Sequence, residues 1–403
     1  MNKSLKKFLS ILLTISLLWG GWGRNVFAED DTISPQVNDV AIEISAPSAI
    51  LMEATTGTIC YAKDAQKPLP MASVTKVMTL LLIFEALDNG KLSLDQQITI
   101  SDHAASMGGS QVFLEPGEIQ TVETLIKCIS VASANDAAVA MAEAVAGTEE
   151  QFVALMNQRA KELHMEHTNF VNCCGLDHKD HYSCAKDLAL VSRALITAHP
   201  QIYDYCKIWQ EDITHTTKKG TTPFTLTNTN KLMKQYPYAT GLKTGSTSVA
   251  KFCLSATAEK DGLEFIAVIM AAETPKDRFR DATKLLEYGF ANTAIYRDSI
   301  AKKSYDIPVI KGTKQSVTLK PQSDFSFLAM KGEQIANIKK KEVLPKELTA
   351  PFKKGTAVGK IEYYIGDNKI GSVPIVTECS VKKATYSFYI KSLLSQLSLS
   401  DKK

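Results

Sequence analysis

At 403 residues the chain is long enough for two domains with proper cores, and 45% hydrophobic and 22% charged residues are ordinary for a folded protein. The net charge of +3 belongs to the N-terminus, since losing Lys3, Lys6, Lys7 and Arg24 leaves −1, and that balance implies no nucleic-acid partner. Eight cysteines are dispersed through a large chain rather than spaced as a small stapled scaffold, so mostly free thiols are expected.

Residues 1–28 read as a secretory signal peptide. Lys3, Lys6 and Lys7 precede an apolar run from Phe8 to Trp19, and Val26-Phe27-Ala28 offers small or apolar residues before a cut, expected after Ala28. The run is too short for a comfortable membrane span. Residues 29–45 read as a polar leader. Ala49–Glu53 and Thr58–Ala62 are strand-like and joined by a hairpin signal, Thr55-Thr56-Gly57.

Pro68 and Pro70 fit an extended approach to a helix that carries Ser73 and Lys76 at its start. From Val77 to Leu87 that helix is apolar on nearly every face, which places it in the core, and Asn89-Gly90 closes it. Residues three apart share a helix face, so the lysine amine would sit beside the serine hydroxyl. A serine hydroxyl is a weak nucleophile until a base takes its proton, and a desolvated lysine can be that base. The plain alternative is that Ser73 caps the helix and Lys76 is solvated.

A short strand, Gln97–Ile100, and a loop marked by Gly108-Gly109-Ser110 and Pro116-Gly117 follow. A helix from Thr121 runs into Ser130–Asp136, and further helices are expected over Ala137–Ala146, Gln151–Leu163 and Cys184–His199. Cys174, His178, His181 and Cys184 have a spacing that tetrahedral zinc could use. Four ligands in one short turn-rich loop would need a tight knuckle, so no metal is expected. The stretch from His199 to Tyr238 is richer in loops. Strands are expected over Gly241–Thr247, Ala250–Ala258 and Leu263–Ala272, with a hairpin at Lys260-Asp261-Gly262 and a closing helix over Phe279–Phe290. Strands from both ends can share one sheet with helices on its faces, an α+β arrangement.

Residues 305–380 read as a small all-β domain with a turn at Gly366-Asp367-Asn368. Residues 384–403 end the chain in an amphipathic helix with Tyr386, Tyr389, Ile390, Leu393, Leu394 and Leu397 on one stripe. It is too short and polar to span a bilayer. It can pack on the β domain or lie in a membrane surface, and its terminal position favours the membrane.

Three short motifs occur in order: Ser73-Val-Thr-Lys76, Ser133-Ala-Asn135 and Lys243-Thr-Gly245. Helix capping could explain Ser133 and Asn135, and an edge strand with a turn could explain Lys243-Thr-Gly245. Together with Leu51–Thr58, Gly108–Gly117 and Lys284–Phe290, these motifs make the chain resemble the low-molecular-mass penicillin-binding proteins, the serine-type D-alanyl-D-alanine carboxypeptidases.

The resemblance implies a β-lactamase/transpeptidase-like peptidase domain over residues 29–298. It implies no cofactor, peptidoglycan stem peptides as substrate, β-lactam antibiotics as inhibitors, and a place outside the cytoplasmic membrane. Ser73 would be the nucleophile and Lys76 its base, with Ser133 relaying a proton. Asn135, Lys243, Thr244 and Thr247 would bind substrate, and the backbone N–H groups of Ser73 and Ser246 would form the oxyanion hole. Gly245 would let substrate lie against the strand edge. Arg278 is a candidate carboxylate partner, with Arg280 close enough to compete for that match. A DD-endopeptidase would use the same site. A β-lactamase would need a deacylating glutamate, and Glu149 and Glu150 fall near the right stretch but lack that family's Glu-x-x-Leu-Asn pattern. A non-catalytic wall-binding protein would not need a serine–lysine pair.

Overall fold

The computed structural model describes residues 42–391 and 394, apart from 218, 219, 331, 332 and 334. The expected signal peptide lies outside them, as do Leu393 and Leu397 of the C-terminal stripe. Docking begins inside the stretch read as a leader. Ile44 is buried, its carbonyl accepts from Lys63 Nζ, and Ser45 Oγ donates to Asp281. The partner of Ser45 lies 236 positions away in sequence, so no local pattern announced this contact.

Strands β1 (Ser48–Glu53) and β2 (Ile59–Lys63) form the hairpin, with Gly57 at φ +74° in its turn. After Pro70 comes one tight turn, Ala72–Thr75, and then helix α1 (Lys76–Asp88). Helices α2 (Asn135–Ala146), α3 (Glu149–Glu162) and α4 (Ala185–Ala198) build the helical middle. Next come a hairpin, β3 (Gln210–Thr217) with β4 (Gly220–Thr227), and three long strands: β5 (Ala239–Thr247), β6 (Lys251–Lys260) and β7 (Leu263–Ala272). Helix α5 (Pro275–Asn292) closes the region. Its N-cap Thr274 accepts from Asp277 N, and Pro275 fills the first turn, where no N–H partner is needed.

The main sheet is antiparallel in the order β2-β1-β7-β6-β5, so both ends of the region meet in it. Strand β7 is apolar on both sides because both sides are covered. Ile266, Val268 and Met270 face the core built around α1, while Phe265, Ala267 and Ile269 face α5. Strand β5 is one edge of the sheet, opposite β2, and it carries Lys243 to Thr247.

The β3–β4 hairpin corrects the expectation of loops between residues 199 and 238. Its strands are built from threonines, and only Ile213, His215 and Leu226 are buried. Alternating hydrophobicity was therefore too thin to show, although β-branched residues favour strands.

Downstream, β8 (Thr293–Asp298) follows α5 directly, so β structure starts before residue 305. Strands β9 (Tyr305–Ile310), β10 (Ser316–Pro321), β11 (Phe325–Met330), β12 (Ile338–Val343), β13 (Leu348–Thr349), β14 (Ala357–Ile365) and β15 (Asn368–Thr377) follow. Strand β8 pairs with β11, and the others form a sheet in the order β12-β14-β15-β10-β9-β13. Strand β11 joins two cores: Leu328 packs with Phe265 and Leu286, and Phe325 stacks on Tyr363 at 3.7 Å between ring centres. Residues 386–391 and 394 are helical and exposed, Tyr386 at 83% and Leu394 at 60%. No helix among the described residues is long and apolar enough to cross a membrane.

Candidate active site

Ser73 sits in the tight turn before α1, just after Ala72 at φ +47°, a left-handed conformation that costs a non-glycine residue about 1–2 kcal/mol. The turn aims Ser73 Oγ at Lys76 Nζ, which donates to it at 3.0 Å. Lys76 is fully buried. It also donates to Asn135 Oδ1 at 2.6 Å and to the Cys174 carbonyl at 2.7 Å. Burial holds its amine below the ordinary lysine range. In the neutral form that burial favours, the amine keeps two N–H donors for Asn135 Oδ1 and the Cys174 carbonyl, and its lone pair is left facing the Ser73 hydroxyl.

Ser133 and Asn135 reach the site through an irregular backbone. A single π-helical turn, Cys128–Ala132, ends in Ser133 at φ +62°, and α2 starts at Asn135. Ser133 is 4% exposed. Asn135 donates from Nδ2 to the Gly108 carbonyl at 2.7 Å, which orients its Oδ1 towards Lys76. The next residue, Asp136, accepts from Val112 N and Leu114 N and so pins the loop that follows Gly108. Asn135 is therefore a partner of the buried lysine in this structure, with its whole amide engaged.

The third motif lies on the edge of the sheet. Lys243 is buried, and its Nζ donates to the Thr244 carbonyl at 3.0 Å. Burial first, then the charges of Lys76 and Arg278, hold its amine well below the usual lysine range. Thr244 Oγ1 lies 2.8 Å from Thr229 Oγ1, and Thr247 Oγ1 donates to Asp177 at 2.7 Å. Ser246 is exposed next to them. Gly245 faces the nucleophile turn so closely that a Cβ there would lie 2.9 Å from Met71 O, Ser73 N and Val74 N. Asp177 also borders a cleft of about 470 Å³ lined by Pro68, Leu69, His178, Tyr182 and Val249.

Arg278 and Arg280 separate clearly. Arg278 is buried behind β5, donates to the Gly245 carbonyl at 3.0 Å, and stacks on Phe279. Arg280 turns to Asp277, Asp281 and Ser45. Glu149, weighed as a possible deacylating base, accepts from Cys173 N and pairs with His103 at 2.9 Å, while Glu150 is exposed.

The loop 172–184 does not gather Cys174, His178, His181 and Cys184 around one point. Cys184 caps α4 by accepting from Asp187 N, and His178 is exposed. His181 accepts from Val171 N at Nδ1, which leaves the proton on Nε2 to meet Thr75 Oγ1 at 2.8 Å. Burial above all pushes its pKa down to about 4. The loop is instead a buttress for the nucleophile turn. Asn172 Oδ1 accepts from Cys174 N, Gly175 N and Leu176 N, and Gly175 at φ +90° presses against Ala72. An Asn followed three residues later by Gly is a turn signal, and it was the one available pointer to this role. Among the described residues, Glu149, Cys173 and Cys174 are a group able to hold a metal ion. All eight cysteines are free.

Comparison with known proteins gives the family. Residues 33–274 match the D-alanyl-D-alanine carboxypeptidase family profile, and residues 292–383 match that of the C-terminal domain of penicillin-binding protein 5. The chain is 38% identical to the D-alanyl-D-alanine carboxypeptidase DacF of Bacillus subtilis over 96% of this chain and 97% of that one. It is 34% identical to DacD of Escherichia coli over 92% and 95%. Penicillin binding protein 5 from Haemophilus influenzae superposes with a TM-score of 0.73 at 30% identity, covering 86% of this chain and all of that one.

Proposed function

Because the chain belongs to the D-alanyl-D-alanine carboxypeptidase family, we propose that it removes the terminal D-alanine from peptidoglycan stem pentapeptides through an acyl-enzyme on Ser73. The contact that carries this reading is Lys76 Nζ at 3.0 Å from Ser73 Oγ, with the amine buried and held below its usual pKa. Neutral Lys76 takes the serine proton as Oγ attacks the carbonyl between the two D-alanines. The tetrahedral oxyanion is received by the backbone N–H groups of Ser73 and Ser246. Ser133 passes a proton to the departing D-alanine nitrogen, and Lys243 keeps that hydroxyl in the network. Water then hydrolyses the ester, and the same groups run in reverse.

The substrate carboxylate is met by Thr244 and Thr247 under the positive field around Lys243. Arg278 acts through β5, whose Gly245 carbonyl it holds. Asn135 steadies Lys76. The bond from Cys173 N and the pairing with His103 argue against Glu149 as a β-lactamase base.

Family members act on the cell wall outside the cytoplasm, and cleavage of the signal after Ala28 would deliver this chain there. The exposed aromatic and aliphatic side chains Tyr386, Tyr389, Ile390 and Leu394 support seating of the C-terminal helix in the membrane surface. The function is tested by D-alanine release from a pentapeptide ending in D-alanyl-D-alanine. The parent should release D-alanine and Ser73→Ala should not. Release by both would refute the nucleophile assignment.

A further inference from the structure

The side chains of Cys173 and Cys174 have no task in the reaction above, yet they lie directly behind it. Both are buried, and their Sγ atoms are 3.6 Å apart. The carboxylate of Glu149 joins them, and the three ligand atoms lie within 4.8 Å of one another. Two thiolates on one tetrahedral zinc ion, each at about 2.3 Å, are themselves about 3.8 Å apart. The two sulfurs therefore need little movement to share one ion.

We propose that Glu149, Cys173 and Cys174 form a site for a thiophilic divalent cation, zinc or cadmium, whose binding inhibits the enzyme. Each thiol loses its proton to solvent as a sulfur–metal bond forms, so two protons leave and no electron is transferred. One Glu149 oxygen is the third ligand, and water takes the fourth position. The second oxygen of Glu149 stays with His103, which is half exposed and fixes the carboxylate from the solvent side.

Inhibition follows from what the two peptide groups do. The Cys174 carbonyl accepts from Lys76 Nζ and the Cys173 carbonyl accepts from Thr79 Oγ1, both at 2.7 Å. Glu149 Oε1 now holds Cys173 N, and Cys174 Sγ now donates to the Asn135 carbonyl. A cation that draws Glu149 and both sulfurs to itself breaks these last two bonds. With that anchor gone, the Cys174 peptide whose carbonyl holds Lys76 is no longer fixed, and the base loses its aim at Ser73.

The test uses the full chain with zinc chloride and cadmium chloride. Native mass spectrometry reads the ions bound per chain, ultraviolet absorption reads cadmium–thiolate bonds, and penicillin acylation reads the site. The expected result is one ion per chain, a cadmium–thiolate band, and acylation slowed by roughly tenfold or more and restored by a chelator. In Cys173→Ser/Cys174→Ser the band should vanish, and cadmium should no longer change that variant's own metal-free rate. Glu149→Gln should keep the band but need roughly 10–100-fold more cadmium to saturate. It decides the matter if a melting curve shows the double variant unfolded. The proposal is overturned by no stoichiometric binding, by an equal band in the double variant, by unchanged affinity in Glu149→Gln, or by binding that leaves acylation untouched. The band and the stoichiometry do not depend on the proposed reaction, so a failure of that reading would show separately.

Discussion

Gly175 lies against Ala72 so closely that a Cβ on Gly175 would sit 1.9 Å from the Ala72 carbonyl oxygen and 2.8 Å from Ser73 N. Backbone meets backbone there, so no side-chain adjustment can make room. Gly175→Ala should push the nucleophile turn out of line with Lys76. A displacement of about 1 Å from the productive geometry costs roughly 100-fold in rate. Penicillin acylation should therefore slow by about that factor, and a melting curve should show the variant still folded. An unchanged rate would mean that the loop does not position Ser73.

The acidic limb of the acylation rate should report Lys76. On the proposed mechanism the neutral amine is the base, so activity should be lost as pH falls through the folded pKa, which burial places below the ordinary lysine range. Asn135→Asp would put a negative charge where Oδ1 now accepts from Lys76 at 2.6 Å. An opposite charge this close favours the protonated amine and raises its pKa by about 1–3 units. The limb should move to higher pH by that amount. A limb that stays in place would show that another group controls the profile.

The meeting of Ser73 and Lys76 was legible because the motif combines residue type with spacing: a serine and a lysine three apart at the mouth of an apolar helix need little else to meet. The sheet was legible for a related reason, since strands covered on both faces read as unbroken apolar runs such as Phe265–Ala272. The threonine-built β3–β4 hairpin was hidden by its polarity. The role of Gly175 was hidden by distance, because Ala72 and Ser73 lie about a hundred positions earlier and the contact is backbone to backbone. The same long-range packing explains Arg278, whose hold on the Gly245 carbonyl no local pattern could announce.

His181 ties acid stability to the nucleophile turn. Its folded pKa is lowered from 6.5 to about 4, so the unfolded chain binds the extra proton in that window. A group of this kind carries no penalty above its unfolded value, and the penalty grows as pH falls towards the folded one. The full loss is about 3 kcal/mol. His181→Gln should therefore lose less stability than the parent between pH 7 and pH 4.5 in urea unfolding. Equal losses would place the acid sensitivity elsewhere.

Membrane seating of the C-terminal helix is open to direct assay. The chain lacking residues 384–403 should stay in the supernatant when centrifuged with phospholipid vesicles, while the full chain pellets with them. Both should acylate with penicillin at the same rate, because the helix is exposed, far from Ser73 in sequence, and among the described residues shares no hydrogen bond with the site. Pelleting of the truncated chain would assign membrane binding to another surface.

The central claim is that Ser73, with Lys76 as its base, attacks an acyl donor shaped like D-alanyl-D-alanine. Intact-mass measurement after adding penicillin to the parent and to Ser73→Ala tests it most directly. The account predicts one stable adduct of the mass of the antibiotic on the parent and none on Ser73→Ala. An adduct retained by Ser73→Ala, with both proteins folded by melting curve, would contradict it.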